Sequence, residues 1–353
     1  MISRSKSAAH RVLMVLFMGA VLASIGAALT YLWFASSPLV YYVTMRPAYV
    51  WFGAVAVLLV VGAFGVKGKV FLAGAAIWLV CFFASEEVLS LGRGMFGGSG
   101  GTARQQSTRG GQPAEESAVG VFRAVTWNIS ANPESIDAVL EQIAELDADI
   151  LFLQECSTGD MLPVAIARHP GVARYAVVRS IDDAMFSRFA IAAVDEPRIG
   201  ETDGHVCSVE MVPGVKATCI NVHFPPPALV DQVWPAGGWE SIVTAEREAR
   251  ERMANLKAVV EDYAQVGPVI LAGDFNMPAN YAGLRGATKV LADSFLAAGH
   301  GWGKTVPATF PMSRIDVMYL SKHFKARECR AVGTLFSDHR PVVADVEFLG
   351  EGQ

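Results

Sequence analysis

Three apolar stretches without a charged residue stand out in the first quarter of the chain, at residues 12–35, 48–66 and 70–84. A helix that crosses a bilayer needs about 20 consecutive apolar residues, which the first two approach, while the third is shorter unless it continues past two glutamates. A cleaved signal peptide has a shorter apolar core and would not be followed by two further stretches. The pattern therefore predicts a membrane domain at residues 1–91 with about three transmembrane helices.

Basic residues predict how these helices are oriented. Arg4, Lys6 and Arg11 precede the first stretch, Lys67 and Lys69 separate the second from the third, and the loop after the first stretch has a single arginine. Positively charged loops stay in the cytoplasm, and an odd number of spans then takes the rest of the chain across the membrane. We expect a multi-pass protein of the cytoplasmic (inner) membrane whose catalytic domain is extracytoplasmic.

The composition changes at residues 92–118, which are rich in Gly, Ser, Gln and charged residues and have little to bury. Such a segment predicts a flexible linker, so a globular catalytic domain is expected at residues 119–353. Residues 1–118 hold 9 Lys plus Arg against 4 Asp plus Glu, which leaves 20 against 30, or a net charge of −10, for the second domain. An acidic domain is a poor general binder of nucleic acid, because that affinity comes from Lys and Arg on phosphates.

Two segments of the second domain have the apolar spacing of amphipathic helices, residues 132–146 and 244–264. Eight others are rich in β-branched or aromatic residues and predict strands. They read "FRAVTWNI", "ADILFLQE", "FAIAAV", "HVCSVEMV", "KATCINVHF", "PVILAGDFN", "RIDVMYLS" and "PVVADVEF". The irregular order of strands and helices predicts an α/β fold of the α+β type, with two packed sheets and helices outside.

Polar residues lie at the ends of six of these strands or just beyond them. A single polar residue after a strand is what any turn uses, but six strand ends that supply only Asn, Glu, His and Asp predict a convergent site at the edge of the sheets. The residues are Asn128, Glu155, His223, Asp274, Asn276, Asp316, Asp338 and His339.

The carboxylates of this set suit a divalent ion and a phosphate ester. Glu155 offers a hard oxygen donor for Mg²⁺ or a similar ion, and Asp338 is a second candidate ligand. An ion held there would neutralise charge on a phosphoryl oxygen and on the leaving oxygen.

The other residues suit proton transfer and phosphate binding. Asp316 with His339 is a candidate acid/base or phosphate-stabilising pair, and Asp274 is a candidate for orienting or deprotonating the attacking water. Asn276 and His223 are expected to donate hydrogen bonds to the phosphate oxygens.

The motifs "TWNIS", "LQE", "NVHF", "GDFN", "RID" and "SDHRP", in this order over residues 126–341, resemble the endonuclease/exonuclease/phosphatase superfamily, also called deoxyribonuclease-I-like. The resemblance implies a four-layered α/β sandwich with two mixed sheets and hydrolysis of phosphodiesters or phosphomonoesters that depends on Mg²⁺ or Mn²⁺. It implies that Glu155 is the main metal ligand, that Asp274 and Asn276 handle water and phosphate, and that His339 pairs with Asp316; the positions of Asn128, His223 and Asp338 match as well. We expect Asn128, Glu155 and Asp338 to hold the metal and the remaining five residues to form the catalytic set. The segment "SRFAI" lacks the family's proline, so Arg188 is left out of that set.

Three functions are consistent with this pattern. A membrane-anchored phosphoesterase acting on a small or lipid-linked phosphate ester is favoured, with the lipid bilayer as partner. A membrane-tethered nuclease acting on DNA or RNA is the alternative, and an inactive binding module is the third. The sequence leaves open the substrate, the oligomeric state and whether Cys207 and Cys219 form a disulfide or stay buried thiols.

Overall fold

The computed structural model describes part of the chain, namely residues 2–32, 37–45, 51, 53, 55–57, 59–60, 68–83, 120–130, 135–156, 165–166, 168–194, 204–227 and 237–350. The predicted linker at residues 92–118 and most of the second apolar stretch lie outside the described residues. The helices are α1 (Ile2–Leu32), α2 (Pro38–Thr44), α3 (Gly68–Phe83), α4 (Ile136–Leu146), α5 (Gly238–Val266), α6 (Ala282–Ala287) and α7 (Ser294–Ala298).

All eight predicted strand segments form strands, and four further strands join them. The strands are β1 (Val121–Asn128), β2 (Ile150–Gln154), β3 (Ala176–Arg179), β4 (Ala184–Ser187), β5 (Ala190–Ala193), β6 (Gly204–Val212), β7 (Val215–His223), β8 (Val269–Asp274), β9 (Ala292–Asp293), β10 (Asp316–Leu320), β11 (Phe324–Ala331) and β12 (Val342–Phe348). The additional strands are β3, β4, β9 and β11.

The strands form two six-stranded mixed sheets. The first has the order β11-β12-β1-β2-β4-β3 and the second β5-β6-β7-β8-β10-β9. Each sheet has one central parallel pair, β1 with β2 and β7 with β8, among antiparallel neighbours. Parallel strands end at the same edge of a sheet, so both sheets bring polar strand ends together at one edge.

Three apolar clusters make the layers of the domain. One cluster fills the space between the two sheets, with Phe122, Phe152 and Met318 among its members. A second packs α4 on the outer face of the first sheet, and a third packs α5 and α6 on the outer face of the second sheet. The arrangement is helix, sheet, sheet, helix, which confirms the two packed mixed sheets that the sequence predicts.

Helices α1 and α3 share a small apolar cluster of their own, in which Phe17, Ala20 and Val21 of α1 pack near Phe71 and Trp78 of α3. Among the described residues, none of the helices combines the length and the apolar character that crossing a bilayer requires. α3 has only 16 residues, about 24 Å at 1.5 Å per residue, against a hydrocarbon core of about 30 Å. The prediction of three transmembrane helices is therefore unsupported by the described residues.

The free thiols of the catalytic domain are all buried, namely Cys156, Cys207, Cys219 and Cys329. Cys207 and Cys219 face each other across β6 and β7 without a disulfide.

Candidate active site

Strand register brings the predicted residues to one edge of the molecule. Asn128 ends β1 opposite Gln154 of β2, and His223 ends β7 opposite Asp274 of β8. Asp316 begins the antiparallel strand β10 and also lies opposite Asp274. The two sheets therefore contribute to a single cluster of polar side chains.

Asn128 connects the two sheets at this edge. Its Nδ2 donates to Oε1 of Glu155 at 2.8 Å and to Oδ2 of Asp274 at 3.0 Å, and its Oδ1 accepts from the backbone N–H of Ser130. Because the amide nitrogen faces the carboxylates and the amide oxygen is already bonded, Asn128 orients the acidic groups here. That differs from the ligand role that the sequence predicts for it.

Asp274 is a fully buried carboxylate. Burial, and next the nearby charge of Asp316, raise the pKa of Asp274 to about 7. The backbone N–H of Asn276 donates to Oδ1 of Asp274 at 2.8 Å, and Nδ2 of Asn276 donates to the carbonyl of Phe224 at 2.7 Å. The Asn276 amide thus fixes the strand end, a use that competes with the phosphate contact expected for it.

His339 and Asp316 form the predicted pair. Nδ1 of His339 lies 3.0 Å from Oδ2 and 3.1 Å from Oδ1 of Asp316, and 3.7 Å from Oδ2 of Asp274. Burial lowers the pKa of His339, but the charge of Asp316, the hydrogen bond with Asp316 and the charge of Asp274 together raise it by more. The net result is a pKa of about 10. The imidazole is therefore protonated at neutral pH. Trp127 donates from Nε1 to the His339 carbonyl at 2.9 Å, which holds this loop in place.

His223 lies on the opposite side of the cluster between acidic groups. Its Nε2 is 3.6 Å from Oε1 of Glu155, and its Nδ1 is 3.6 Å from Asp183 and 3.9 Å from Asp182. Burial lowers the pKa of His223, whereas the contact with Asp183 and the charge of Asp274 raise it more, so the net shift is upward.

Asp183 is a site residue that the sequence pattern does not reveal. The adjacent acidic residues 182 and 183 have the appearance of a solvated turn, yet Asp183 is only 6% exposed and faces His223. Asp183 immediately precedes β4, whose first residue, Ala184, pairs with Leu153 of β2. Recognising β4 as a strand would have placed Asp183 at the same edge as Glu155.

Asp338 is the predicted residue that the structure separates from the others. It is exposed, and among the described residues its side chain has no hydrogen bond to the cluster. Its backbone carbonyl accepts from the N–H of Ala308. Its charge still contributes to the raised pKa of His339.

A buried amide pair connects the two sheets beneath the site. Nε2 of Gln154 donates to Oδ1 of Asn221 at 2.6 Å, and Nδ2 of Asn221 donates to the carbonyl of Leu153 at 3.0 Å. Gln154 precedes Glu155, and Asn221 lies two residues before His223 on the same side of its strand. The pair therefore fixes the distance between the strand ends that carry Glu155 and His223.

Backbone strain is concentrated at the site. The non-glycine residues with positive φ include Glu155 (φ 53°), Asn276 (φ 49°) and Ser130 (φ 41°). Gly273 has φ 147°, and a Cβ there would lie 1.9 Å from the carbonyl oxygen of Val222. Left-handed non-glycine residues cost of order 1–3 kcal/mol each and are often found at functional sites.

The donor set fits a hard divalent ion. Asp274, Asp316 and His339 offer ligand atoms that all lie within 4.8 Å of one another. His339 is a poor ligand, because its raised pKa keeps it protonated and its Nδ1 is engaged by Asp316. Asp274 and Asp316 remain of this group. Glu155, whose Oε1 accepts from the same Asn128 Nδ2 as Oδ2 of Asp274, adds a more exposed carboxylate. Oxygen donors of this kind suit Mg²⁺ or Mn²⁺.

A model of the endonuclease/exonuclease/phosphatase family matches residues 125–339, well over half of the chain. The chain belongs to this family. The match runs from β1 to His339 and so includes every residue of the cluster described above. Members of the family are hydrolases that act on phosphate esters. No curated protein sequence matches the chain.

Three solved structures are among those similar to this chain. An endonuclease/exonuclease/phosphatase from Beutenbergia cavernae is 18% identical with a TM-score of 0.47, covering 65% of this chain and 72% of that chain. A family protein from Leptotrichia buccalis is 18% identical with a TM-score of 0.47, covering 64% and 100%. A mannosyl-6-phosphatase from Bacteroides thetaiotaomicron is 16% identical with a TM-score of 0.45, covering 64% and 100%. At these identities none of the three indicates the substrate of this chain.

Proposed function

We propose that this family member is a divalent-metal-dependent phosphoesterase that hydrolyses a small or lipid-linked phosphate ester. The observation that carries the proposal is one buried cluster in which Nδ1 of His339 lies 3.0 Å from Oδ2 of Asp316 and 3.7 Å from Oδ2 of Asp274. Burial raises the pKa of Asp274 to about 7, and although burial lowers that of His339, the neighbouring carboxylates raise it to about 10. A base and an acid whose pKa values lie on either side of neutrality can accept and donate a proton in one reaction.

The reaction is attack of water on phosphorus with cleavage of the P–O ester bond. Asp274 accepts the proton of the attacking water, since its raised pKa makes it a stronger base than an ordinary carboxylate. His339 is held through Nδ1 by Asp316, which leaves Nε2 to donate to the phosphoryl or leaving oxygen. The pair His223–Asp183 offers a second donor on the other side of the cluster.

Glu155 is the residue proposed to hold the metal. Its side chain is 41% exposed, which leaves an oxygen accessible to an ion, whereas Asp274 and Asp316 are fully buried. A Mg²⁺ or Mn²⁺ ion bound there would neutralise charge on the phosphoryl and leaving oxygens.

Charge favours a small substrate over nucleic acid. The net charge of −10 on residues 119–353 repels a polyanion at low salt, when electrostatic steering is strongest. A nuclease remains the alternative function, because the same hydrolytic groups cleave phosphodiesters of any size.

We further propose that the N-terminal residues associate with a lipid bilayer and that the catalytic domain lies outside the cytoplasm. Apolar side chains on α1 and α3 are exposed, among them Val15 (70%), Leu22 (64%), Leu72 (66%) and Val80 (69%). Exposed apolar patches of this kind mark surfaces that contact lipid or protein.

The test is a substrate panel on the purified full chain. Sugar phosphates, inositol phosphates, phospholipid head-group phosphates, nucleotides, and single- and double-stranded DNA are each assayed with EDTA and again after Mg²⁺ is restored. We expect a small ester to be hydrolysed at least as well as DNA of equal phosphate concentration, only with the metal. Activity that survives both EDTA and Glu155→Gln would contradict the proposal, with Glu145→Gln on the exposed face of α4 as the matched control.

A second arm separates phosphoesterase from nuclease. DNA cleavage that falls steeply as salt is added, without turnover of any small ester, would identify a nuclease, because that salt dependence comes from multiple Lys and Arg contacts to phosphates.

A further inference from the structure

The short helix α2, which lies between the first two apolar stretches, is docked on the catalytic domain. Tyr41 and Thr44 of α2 are 0% exposed, and Tyr41 belongs to the apolar cluster that packs α5 and α6 on the second sheet. The helix is capped by Ser37, whose side chain accepts from the N–H of Val40, and Pro38 occupies its first turn. Residues 37–45 thus have a defined fold against the domain.

α2 packs on α5, on α6 and on Tyr281, the last residue of the active-site loop, residues 275–281. This loop leaves β8 directly after Asp274 and leads into α6. Its apolar residues Phe275, Met277, Ala279 and Tyr281 belong to the same cluster as Tyr41. The rings of Tyr41 and Tyr281 pack edge to face with centroids 5.5 Å apart, a favoured aromatic geometry.

Thr44 fixes the far end of this loop. Its Oγ1 accepts from the N–H of Ala282 at 3.4 Å and donates to the carbonyl of Val40 at 2.7 Å. Ala282 is the first residue of α6, and the first N–H groups of a helix have no partner within the helix. α2 therefore supplies a cap that the catalytic domain lacks at this position.

The start of the loop, next to Asp274, carries the proposed catalytic residue Asn276. Asn276 has positive φ and donates through its backbone N–H to Asp274 and through its side chain to Phe224. A strained residue keeps its conformation only while its surroundings hold it there. The loop is thus held at one end by Asp274, along its length by backbone hydrogen bonds from Phe275 and Ala279 to residues 315 and 314, and at its far end by α2.

We propose that Tyr41 and Thr44 are positioning residues for the active-site loop, so that the N-terminal region sets the geometry of Asp274 and Asn276. The proposal rests on the proposed hydrolytic function for its effect on turnover, but not for its effect on loop motion. The contact also requires residues 37–45 and the catalytic domain to lie on the same side of any membrane, and the topology predicted from the basic residues meets that requirement.

The experiment compares Tyr41→Ala, Tyr41→Phe and Leu39→Ala in the full chain. No described residue hydrogen-bonds to the Tyr41 hydroxyl, so Tyr41→Phe is expected to keep the ring contact and behave as wild type. Leu39 lies on the same helix but is 58% exposed, which makes Leu39→Ala the matched control. Hydrogen–deuterium exchange of residues 275–287 is read beside that of the sheet strands.

We expect Tyr41→Ala to raise exchange in residues 275–287 by about tenfold or more, with the sheet strands unchanged. Its kcat should fall by about tenfold to a hundredfold with KM little changed, since small displacements of catalytic groups have effects of this size. Thr44→Val, which removes the cap, should shift exchange in the same direction, and Thr44→Ser should restore it. These threonine variants decide the question if Tyr41→Ala does not fold.

Unchanged exchange in residues 275–287, a uniform rise over the whole domain, or equal loss in Tyr41→Ala and Tyr41→Phe would each overturn the proposal. Failure of the proposed function is distinguishable, because a protein that hydrolyses no ester still reports on the loop through exchange. If Tyr41→Ala leaves hydrolysis intact, the positioning role is refuted and the proposed hydrolytic function is unaffected.

Discussion

The buried pair of His339 and Asp316 makes the stability of the metal-free protein depend on pH. The pKa of His339 rises from 6.5 to about 10 on folding. A base whose pKa is raised by folding binds its proton more tightly in the folded state. Its stabilising effect is complete below about pH 6.5 and is lost as the pH rises through about 10. The perturbation that tests this is the double variant His339→Gln with Asp316→Asn, which replaces the ion pair with neutral amides.

The expected size of this pH dependence follows from a difference of one bound proton between the folded and the unfolded state. Where the folded state holds one proton that the unfolded state has released, the free energy of unfolding falls by about 1.4 kcal/mol per pH unit. His339 meets this condition between about pH 7.5 and 9.5, so its loss should remove about 3 kcal/mol of pH dependence over that interval. The difference in slope between the proteins is the decisive quantity, because neutral isosteres of a buried ion pair can leave absolute stability unchanged or raise it.

The titration of Asp274 also makes the folded protein less stable as the pH rises, but in a lower pH range than that of His339. Its pKa rises from 3.8 to about 7, so its contribution to stability is lost as the pH rises through about 7, below the interval chosen for His339. Burial raises the pKa values of the thiols of Cys156, Cys207, Cys219 and Cys329, so these thiols add a further decline in the free energy of unfolding at high pH. That decline is common to both proteins and cancels in the comparison.

The assay is urea unfolding in EDTA, followed by tryptophan fluorescence, at several pH values between about 7.5 and 9.5. His300→Gln is the matched control, since His300 is a partly exposed histidine paired with Glu328 away from the site, and it should keep the wild-type slope. A wild-type free energy of unfolding that stays level or increases over this range would refute the reasoning. So would a double variant with the wild-type slope.

Two further predictions concern turnover and location. His339→Ala with Asp316→Ala should reduce kcat little more than His339→Ala alone, because residues that act as a unit give non-additive losses; losses that multiply in steady-state assays would separate their roles. A reporter active only outside the cytoplasm, fused after residue 118, should be active if the predicted topology holds. A silent reporter beside an active cytoplasmic one would place the domain inside.

The sequence predicted every central strand except β4, whereas three of the four edge strands, β3, β9 and β11, were not predicted. β2 and β8 are buried along their whole length, and β1 and β7 are buried over most of their second halves, the pattern typical of a sheet interior. β11 lies at the edge of its sheet and reads "FKARECRA", and β3, also at an edge, ends in Arg179. Charged residues keep exposed edge strands from pairing with other chains. The same charged residues interrupt the apolar pattern from which strands are predicted.

Residue identity predicted the composition of the site, but not the direction of its side chains. Asn128 and Asn276 lie at the expected strand ends, yet their amides bond to the neighbouring carboxylate and to a backbone carbonyl rather than being free for ion or phosphate. Those directions depend on contacts between distant strands and on a positive φ at Asn276, which no local pattern encodes. The packing role of Tyr41 could not be predicted either, because it is one apolar residue within an apolar region.

Asp274 and Asp316 are both 0% exposed and lie on adjacent strands. Two buried carboxylates destabilise a fold unless donors or cations satisfy them. The donors here are Asn128, the backbone of Asn276 and the single cation His339. Burial is the main cause of the rise in the pKa of Asp274 to about 7, and one cation between two carboxylates leaves an excess of negative charge that raises it further. The three apolar clusters must stabilise the domain enough to tolerate this arrangement, and the same excess charge gives the proposed ion its affinity and the proposed base its strength.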